Sequence, residues 1–193
     1  MTVPASSASA KATPSQTTPS QTVGPFYGYA LPYEAGPRVA PAWRPDAITV
    51  RGRVLDGAGE PVPDALLEIW QADGNGEIPR RPGGIVREGH DFSGFGRCGT
   101  DAAGGFWFTT VKPGAVGAGA PYIALLVFAR GLLKPVATRI YFPEDEAAHA
   151  ADPLLAEVPA DRRGTLVAAR EGDRAYRFDV RLQGEGETVF LAF

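Results

Sequence analysis

Arg130 stands where the densest apolar run of the chain stops: Tyr122 to Ala129 is nearly all hydrocarbon, and Arg130-Gly131 follows at once. Arginine is a permanent cation whose five donors form a rigid planar fork, so at the end of a core strand it calls for an anionic partner. Few other residues could do chemistry. His90 and His149 each lack a second ligand at metal-binding spacing, and each reads as a solvated loop histidine. Cys98, inside an expected strand, reads as a small core residue rather than a nucleophile. The acidic run Glu144-Asp145-Glu146 reads as a helix N-terminus favoured by the helix dipole. A nucleophile elbow, a phosphate loop and a dinucleotide fingerprint are absent from the sequence. Taken alone, these residues make no complete active site.

Composition narrows the classes further. At 193 residues and 44% hydrophobic, the chain can build one sizeable core but is short for two. A net charge of -3 without a Lys/Arg cluster argues against nucleic acid as a partner. The single cysteine excludes an internal disulfide and a thiolate metal cage, and fits a reducing compartment, so a cytoplasmic location is expected. No segment has the length of a membrane span, and the opening MTVPASSASAKATPSQ lacks the apolar core of a secretory signal.

The elements that must position Arg130 are strands. Residues 1–21 are Ala, Ser, Thr, Pro and Gln with one lysine, an expected flexible arm, and residues 22–193 are the expected folded domain. The arm carries a tandem repeat, Thr13-Pro-Ser-Gln-Thr17 and Thr18-Pro-Ser-Gln-Thr22. Phe26, Tyr27 and Tyr29 among Gly and Pro predict an extended segment that docks on another surface or anchors the chain's own terminus. Ile48–Leu55 alternates up to the turn Asp56-Gly57, and with Ala65–Gln71 it predicts a hairpin. Asp73-Gly-Asn-Gly-Glu77 predicts a turn, and residues 79–95 a long surface loop. Arg97–Thr100 and Phe106–Val111 predict a second hairpin around Asp101–Gly105.

Tyr122–Ala129 and Val136–Phe142 read as two buried strands, the first covered on both faces. A short helix started by Pro143 follows, with another short turn over Leu154–Val158. Tyr176, Phe178, Val180 and Leu182 alternate with polar residues, and Thr188–Phe193 reads as a last strand that ties down the C-terminus. Short strands, Gly/Pro turns and little helix predict an all-β chain, a β-sandwich with short helical segments and an extended N-terminal arm.

Several stretches together resemble the intradiol ring-cleaving dioxygenases: Thr18–Phe26, Gly52–Gly57, PDALLEIWQA at Pro63–Ala72, Phe95–Arg97 with Thr100-Asp101, Val111–Gly114 and Arg139–Phe142. LLVFARG at Leu125–Gly131 and the ending YRFDVRLQGEGETVFLAF at Tyr176–Phe193 are similar to the alpha subunits of the family's hetero-oligomeric members. The resemblance implies a non-heme Fe(III) held by two tyrosinates and two histidines, which in the hetero-oligomers belong to the beta subunit. The positions expected for the histidines hold Tyr122 and Ala124, one tyrosine position falls at Gly76–Ile78, and the other in Ala115–Gly119, which has no tyrosine. A lone phenolate without imidazoles holds Fe(III) poorly, so the resemblance implies a chain without iron that pairs with an iron-binding beta subunit.

It further implies that Thr22, Gly24 and Pro25 form part of the partner's pocket wall, and that Arg130 lies near a dihydroxybenzoate substrate, whose ring carboxylate needs a cation. For Arg130 the alternative is an ion pair with an acidic residue of this chain or its partner. For the chain as a whole the alternatives are a non-catalytic β-sandwich interaction module and a self-sufficient metalloenzyme using His90 and His149.

Overall fold

In the computed structural model, which describes residues 24, 26–80 and 91–192, the apolar alternation of the sequence becomes two stacked sheets. The strands among these residues are β1 (Ala47–Leu55), β2 (Leu66–Trp70), β3 (Phe95–Gly99), β4 (Gly105–Val111), β5 (Tyr122–Phe128), β6 (Val136–Tyr141), β7 (Ala169–Gly172), β8 (Ala175–Arg177) and β9 (Val180–Arg181). One sheet has the order β4-β1-β8-β7, with β9 also paired to β1, and the other has the order β3-β2-β5-β6. This is the expected all-β sandwich.

The core lies between the sheets. Val50, Val54, Phe106, Phe108, Tyr176 and Val180 from the first sheet, with Phe178 between β8 and β9, share the core with Leu67, Ile69, Ile123, Leu125, Val127 and Ile140 from the second. Burial of each such side chain contributes about 1.5–3 kcal/mol. Gly52 is required by packing: a Cβ there would stand 1.8 Å from the carbonyl oxygen of Phe178, whose segment runs alongside β1. A smaller cluster of Ala120, Tyr141, Leu155, Val158 and Leu166 lies beside the main core.

Neither expected hairpin forms. β1 pairs with β4 while β2 pairs with β3 and β5, so both connections cross between sheets. The reason is the two-faced pattern: Val50 and Val54 face Leu67 and Ile69 across the core only if β1 and β2 lie in opposite sheets. Pro61 and Pro63, with no N–H to donate, suit the crossover, where a single bridge joins Leu55 to Pro61. The Asp101 turn does form, with Asp101 N–H donating to Gly105 O at 2.9 Å, yet it too delivers its strands to different sheets.

β5 and β6 do pair antiparallel, from Tyr122 opposite Tyr141 to Val127 opposite Val136. Only one face of β5 is fully covered, however: Ile123, Leu125 and Val127 are sealed in the core, while Tyr122, Ala124, Leu126 and Phe128 are half-covered. The apolar run thus hides a period-two strand whose second face is also hydrocarbon.

Four further expectations change. Tyr27–Ala30 is a one-turn helix, α1, rather than extended chain. The alternating segment Tyr176–Leu182 keeps its buried face but divides into β8 and β9. Residues 188–192 form no strand, their tie being a bridge from Leu191 to Ala137, and Phe193 lies outside the described residues. His149 is half-buried with its ring edge-on to Tyr141, its Nε2 without a hydrogen-bond partner among the described residues, so it is not a solvated loop histidine.

The helical region matches the expectation: Pro143–Asp145 is a 3-10 turn leading into α2 (Glu146–His149). After it comes α3 (Pro153–Glu157), capped by Asp152. The arm 1–21, Thr22, Pro25 and His90 lie outside the described residues. Among those described, no helix is long and apolar enough to cross a membrane.

Candidate functional site

The end of β5 that carries Arg130 is set by strand register. Leu66 of β2 stands opposite Phe128 of β5, and two residues further along the same antiparallel register Asp64 meets Arg130. The Arg130 Nε is in an ion pair with the Asp64 carboxylate. The anion that the Arg130 cation calls for is, within this chain, Asp64, so the ion pair given as the alternative does form. The arginine side chain is nevertheless 63% exposed.

Tyr27 binds the same place from the other side. Its hydroxyl donates to the main-chain oxygen of Asp64 at 2.8 Å, and its buried ring packs 6.3 Å from that of Phe128. Burial raises the Tyr27 pKa and Asp64 adds to the rise, while Arg130 opposes it. Gly24 is three residues earlier, so its Cα lies within about 11 Å of that of Tyr27. The segment that follows Gly24 is thus tied through Tyr27 to Asp64 and Arg130 at one end of the β3-β2-β5-β6 sheet. A Cβ at Gly24 would meet nothing within 4 Å, so the described residues impose no need for glycine there. Beside them Phe26 and Tyr29 are 76% and 84% exposed.

The start of β5 builds a second place. Tyr122 and Ala124, two residues apart, share a strand face. They line a cavity of about 220 Å³ together with Trp70, Gln71, Ile78 and Val116. Ile78 is delivered by the Asp73 turn, in which the Asp73 carboxylate accepts from the N–H groups of Asn75 and Glu77, both at 2.9 Å. Gly76 has φ +84° and its absent Cβ would stand 2.1 Å from Ala115 O, so turn and neighbouring segment are packed backbone to backbone. That contact seats Ile78 and Val116 on the same cavity. Ile78 and Val116, which belong to the two stretches where the resemblance expects tyrosine ligands, thus share a cavity with Tyr122 and Ala124.

Their chemistry does not fit a ferric ion. Ile78, Val116 and Ala124 have no donor atoms, and Tyr122 offers one phenol. The polar neighbours are committed elsewhere: the Gln71 amide donates to Ala72 O and Val111 O at 3.0 and 2.8 Å and accepts from the Thr110 hydroxyl at 2.6 Å. The Arg139 guanidinium lies 3.8 Å from the centroid of the Tyr122 ring, so a fixed cation already occupies the phenol's surroundings and opposes a second. Among the described residues no three of His, Cys, Asp and Glu converge on a point.

The remaining candidates have structural roles. Cys98 is buried, and desolvation raises its thiol pKa, as befits a core residue. Glu144 accepts from the Tyr176 hydroxyl at 2.5 Å and pairs with Lys112 at 3.0 Å. Sequence reasoning missed Asp64 and Tyr27 as neighbours of Arg130, although the β2–β5 register would have given Asp64 once the pairing was known. It also missed the sheltered pair of Glu68 and Arg97 on the outer face of β2 and β3, with Nε to Oε1 at 2.7 Å.

Comparison with known proteins agrees with this geometry. Residues 24–184 match a family model described as Dioxygenase. A protocatechuate 3,4-dioxygenase alpha chain from Burkholderia cepacia is 44% identical over 191 residues, covering 90% of this chain and 96% of that protein. The beta chain from the same organism is 34% identical over 163 residues, covering 74% and 67%. Among solved structures, the dioxygenase domain of a carbohydrate-binding fusion from Streptomyces sp. SirexAA-E superposes with TM-score 0.55 at 24% identity, covering 77% of this chain and 87% of that one, a likeness of fold.

Proposed function

Since the chain belongs to the intradiol dioxygenase family, among relatives of the protocatechuate 3,4-dioxygenase alpha chains, we propose that it is the iron-free alpha subunit of such an enzyme. In this reading a beta subunit binds the Fe(III), and the αβ hetero-oligomer cleaves protocatechuate with O2 between its two hydroxyl-bearing carbons to give 3-carboxy-cis,cis-muconate. The observation that supports it is the convergence of Ile78, Val116, Tyr122 and Ala124 on one cavity with a single phenol oxygen among them. A catalytic scaffold has kept its shape and exchanged its ligands for hydrocarbon.

The chain's own contribution is then at the other end of β5. Arg130 supplies positive charge for the ring carboxylate of the substrate, and Thr22, Gly24 and Pro25 supply part of the wall of the partner's pocket. Iron chemistry is left to the beta subunit, and this chain orients the substrate and balances its charge. The buried, reduced Cys98 suits a cytoplasmic enzyme.

The test is purification of the chain alone and after co-expression with its beta subunit, each assayed for iron and for ring cleavage. The expected result is substoichiometric iron and no turnover alone, and an iron-tyrosinate chromophore with turnover in the complex. Stoichiometric iron with ring cleavage by the isolated chain would overturn the reading.

A further inference from the structure

An arginine that must meet a small carboxylate has to be aimed, because its long side chain loses much rotamer freedom on binding unless something has already fixed it. In this chain Asp64 takes the Nε of Arg130. That contact is made through Nε, and a guanidinium carries a second, terminal edge whose donors can serve another carboxylate. Asp64 is itself anchored through its main-chain oxygen, which accepts from the hydroxyl of Tyr27, whose ring is buried against Phe128 of β5.

Resting on the reading of Arg130 as a substrate-facing cation, we propose that Asp64 and Tyr27 are positioning residues, holding the guanidinium by its Nε so that its terminal edge is free for the ring carboxylate. The arrangement couples two parts of the partner's pocket, because Tyr27 belongs to the segment that carries Gly24. A shift of that segment moves Asp64 and with it the arginine.

Asp64 also carries negative charge near a negative substrate, an effect of opposite sign. If repulsion dominated, its removal would tighten substrate binding; if positioning dominates, removal weakens it. The fork geometry favours positioning, since a guanidinium can serve two carboxylates on separate edges.

The experiment uses the chain co-expressed with its beta subunit and compares protocatechuate with unsubstituted catechol, which lacks the carboxylate. Asp64→Asn keeps the side chain's shape and the main-chain oxygen that Tyr27 needs. It is expected to raise the KM for protocatechuate about fivefold, the upper range for an exposed charge pair, and that for catechol less than about twofold. Asp64→Glu is expected to recover most of the loss, and Tyr27→Phe to raise the protocatechuate KM about twofold. In an Arg130→Ala background Asp64→Asn should add nothing, the mark of a residue acting through the arginine.

A lowered or unchanged protocatechuate KM in Asp64→Asn, equal effects on both substrates, or additivity with Arg130→Ala would overturn the inference. If Arg130→Ala discriminates between the substrates and Asp64→Asn does not, the inference alone falls. If Arg130→Ala affects both equally, the reading of Arg130 falls and takes the inference with it.

Discussion

The two ends of β5 are about 20 Å apart along one strand, and they are built in opposite ways. At the Tyr122 end the polar groups around Asp152 are interlocked. The Asp152 carboxylate accepts from the N–H groups of Ala120, Leu154 and Leu155 at 2.8, 2.9 and 3.0 Å and from the Tyr141 hydroxyl at 3.2 Å. Arg139 in turn donates to Tyr141 at 3.2 Å and covers the ring of Tyr122. At the other end Arg130 is exposed and held by one ion pair. The end where the resemblance expects iron ligands is built into the fold, while the Arg130 side chain at the end proposed to meet substrate is held only lightly by it. A charge that the fold does not need is one that a ligand or partner can use.

That contrast predicts a graded series of stability losses. The largest belongs to Leu125, which lies fully buried midway between the two ends. Leu125→Ala is expected to cost about 2–5 kcal/mol, read as a lower urea midpoint at unchanged slope. A loss below about 1 kcal/mol would mean that the strand is not the shared support of both ends.

Next is Asp152→Ala at the interlocked end. It removes the cap of α3 and strands the buried N–H of Ala120, together worth about 2–4 kcal/mol. Equilibrium unfolding of the chain measures this directly. If the loss were no greater than for a surface residue, the account of the Tyr122 end as structural would fail.

A smaller effect is expected at high pH. Burial first, with added contributions from nearby carboxylates, pushes the hydroxyls of Tyr141 and Tyr176 up to about 12 from the ordinary 10.0. In the unfolded chain they ionise near their ordinary value, so between the two values the unfolded state has released protons that the native state still holds. Stability from these phenols is therefore complete below pH 10 and declines as pH rises towards about 12. Phenolate absorbance with parallel urea titrations tests it, and ionisation of both phenols at their ordinary value in the native chain would contradict the packing described.

Much of this was legible in the sequence, and the failures share a cause. The sandwich, the β5–β6 pair, the Asp73 turn and the helix begun at Pro143 follow from local pattern, since period-two alternation and turn residues act over a few positions. The two hairpins failed because turn chemistry at Asp56 and Asp101 specifies a reversal of the chain but not which sheet receives the next strand. That choice is made by apolar faces meeting across the core, where Val50 and Val54 share one buried cluster with Leu67 and Ile69. Similarly, Arg130 was visible as an anomaly, but Asp64 and Tyr27 were not, because only long-range register and a buried ring bring them to it. The resemblance to a family supplied Tyr122, Ala124 and Ile78 as positions where ligands are expected, which nothing in their composition would have marked.

The smallest stability effect sharpens the comparison most. Arg130→Ala deletes a side chain that is 63% exposed and whose partner, Asp64, is itself partly solvated. Exposed pairs of this kind contribute about 0.2–1 kcal/mol, and the freed Asp64 carboxylate can turn to water, so the expected loss is below about 1 kcal/mol. Function should respond on a different scale. A charge-assisted contact to a carboxylate is worth about 1.5–3 kcal/mol where it forms, so the protocatechuate KM of the αβ complex should rise about tenfold or more, and that for catechol much less. A variant that unfolds readily and treats both substrates alike would make Arg130 one more structural residue and erase the difference between the two ends of β5. A variant that folds as before but no longer distinguishes a substrate with a carboxylate from one without would place the chain's chemical contribution at the one end its own fold leaves free.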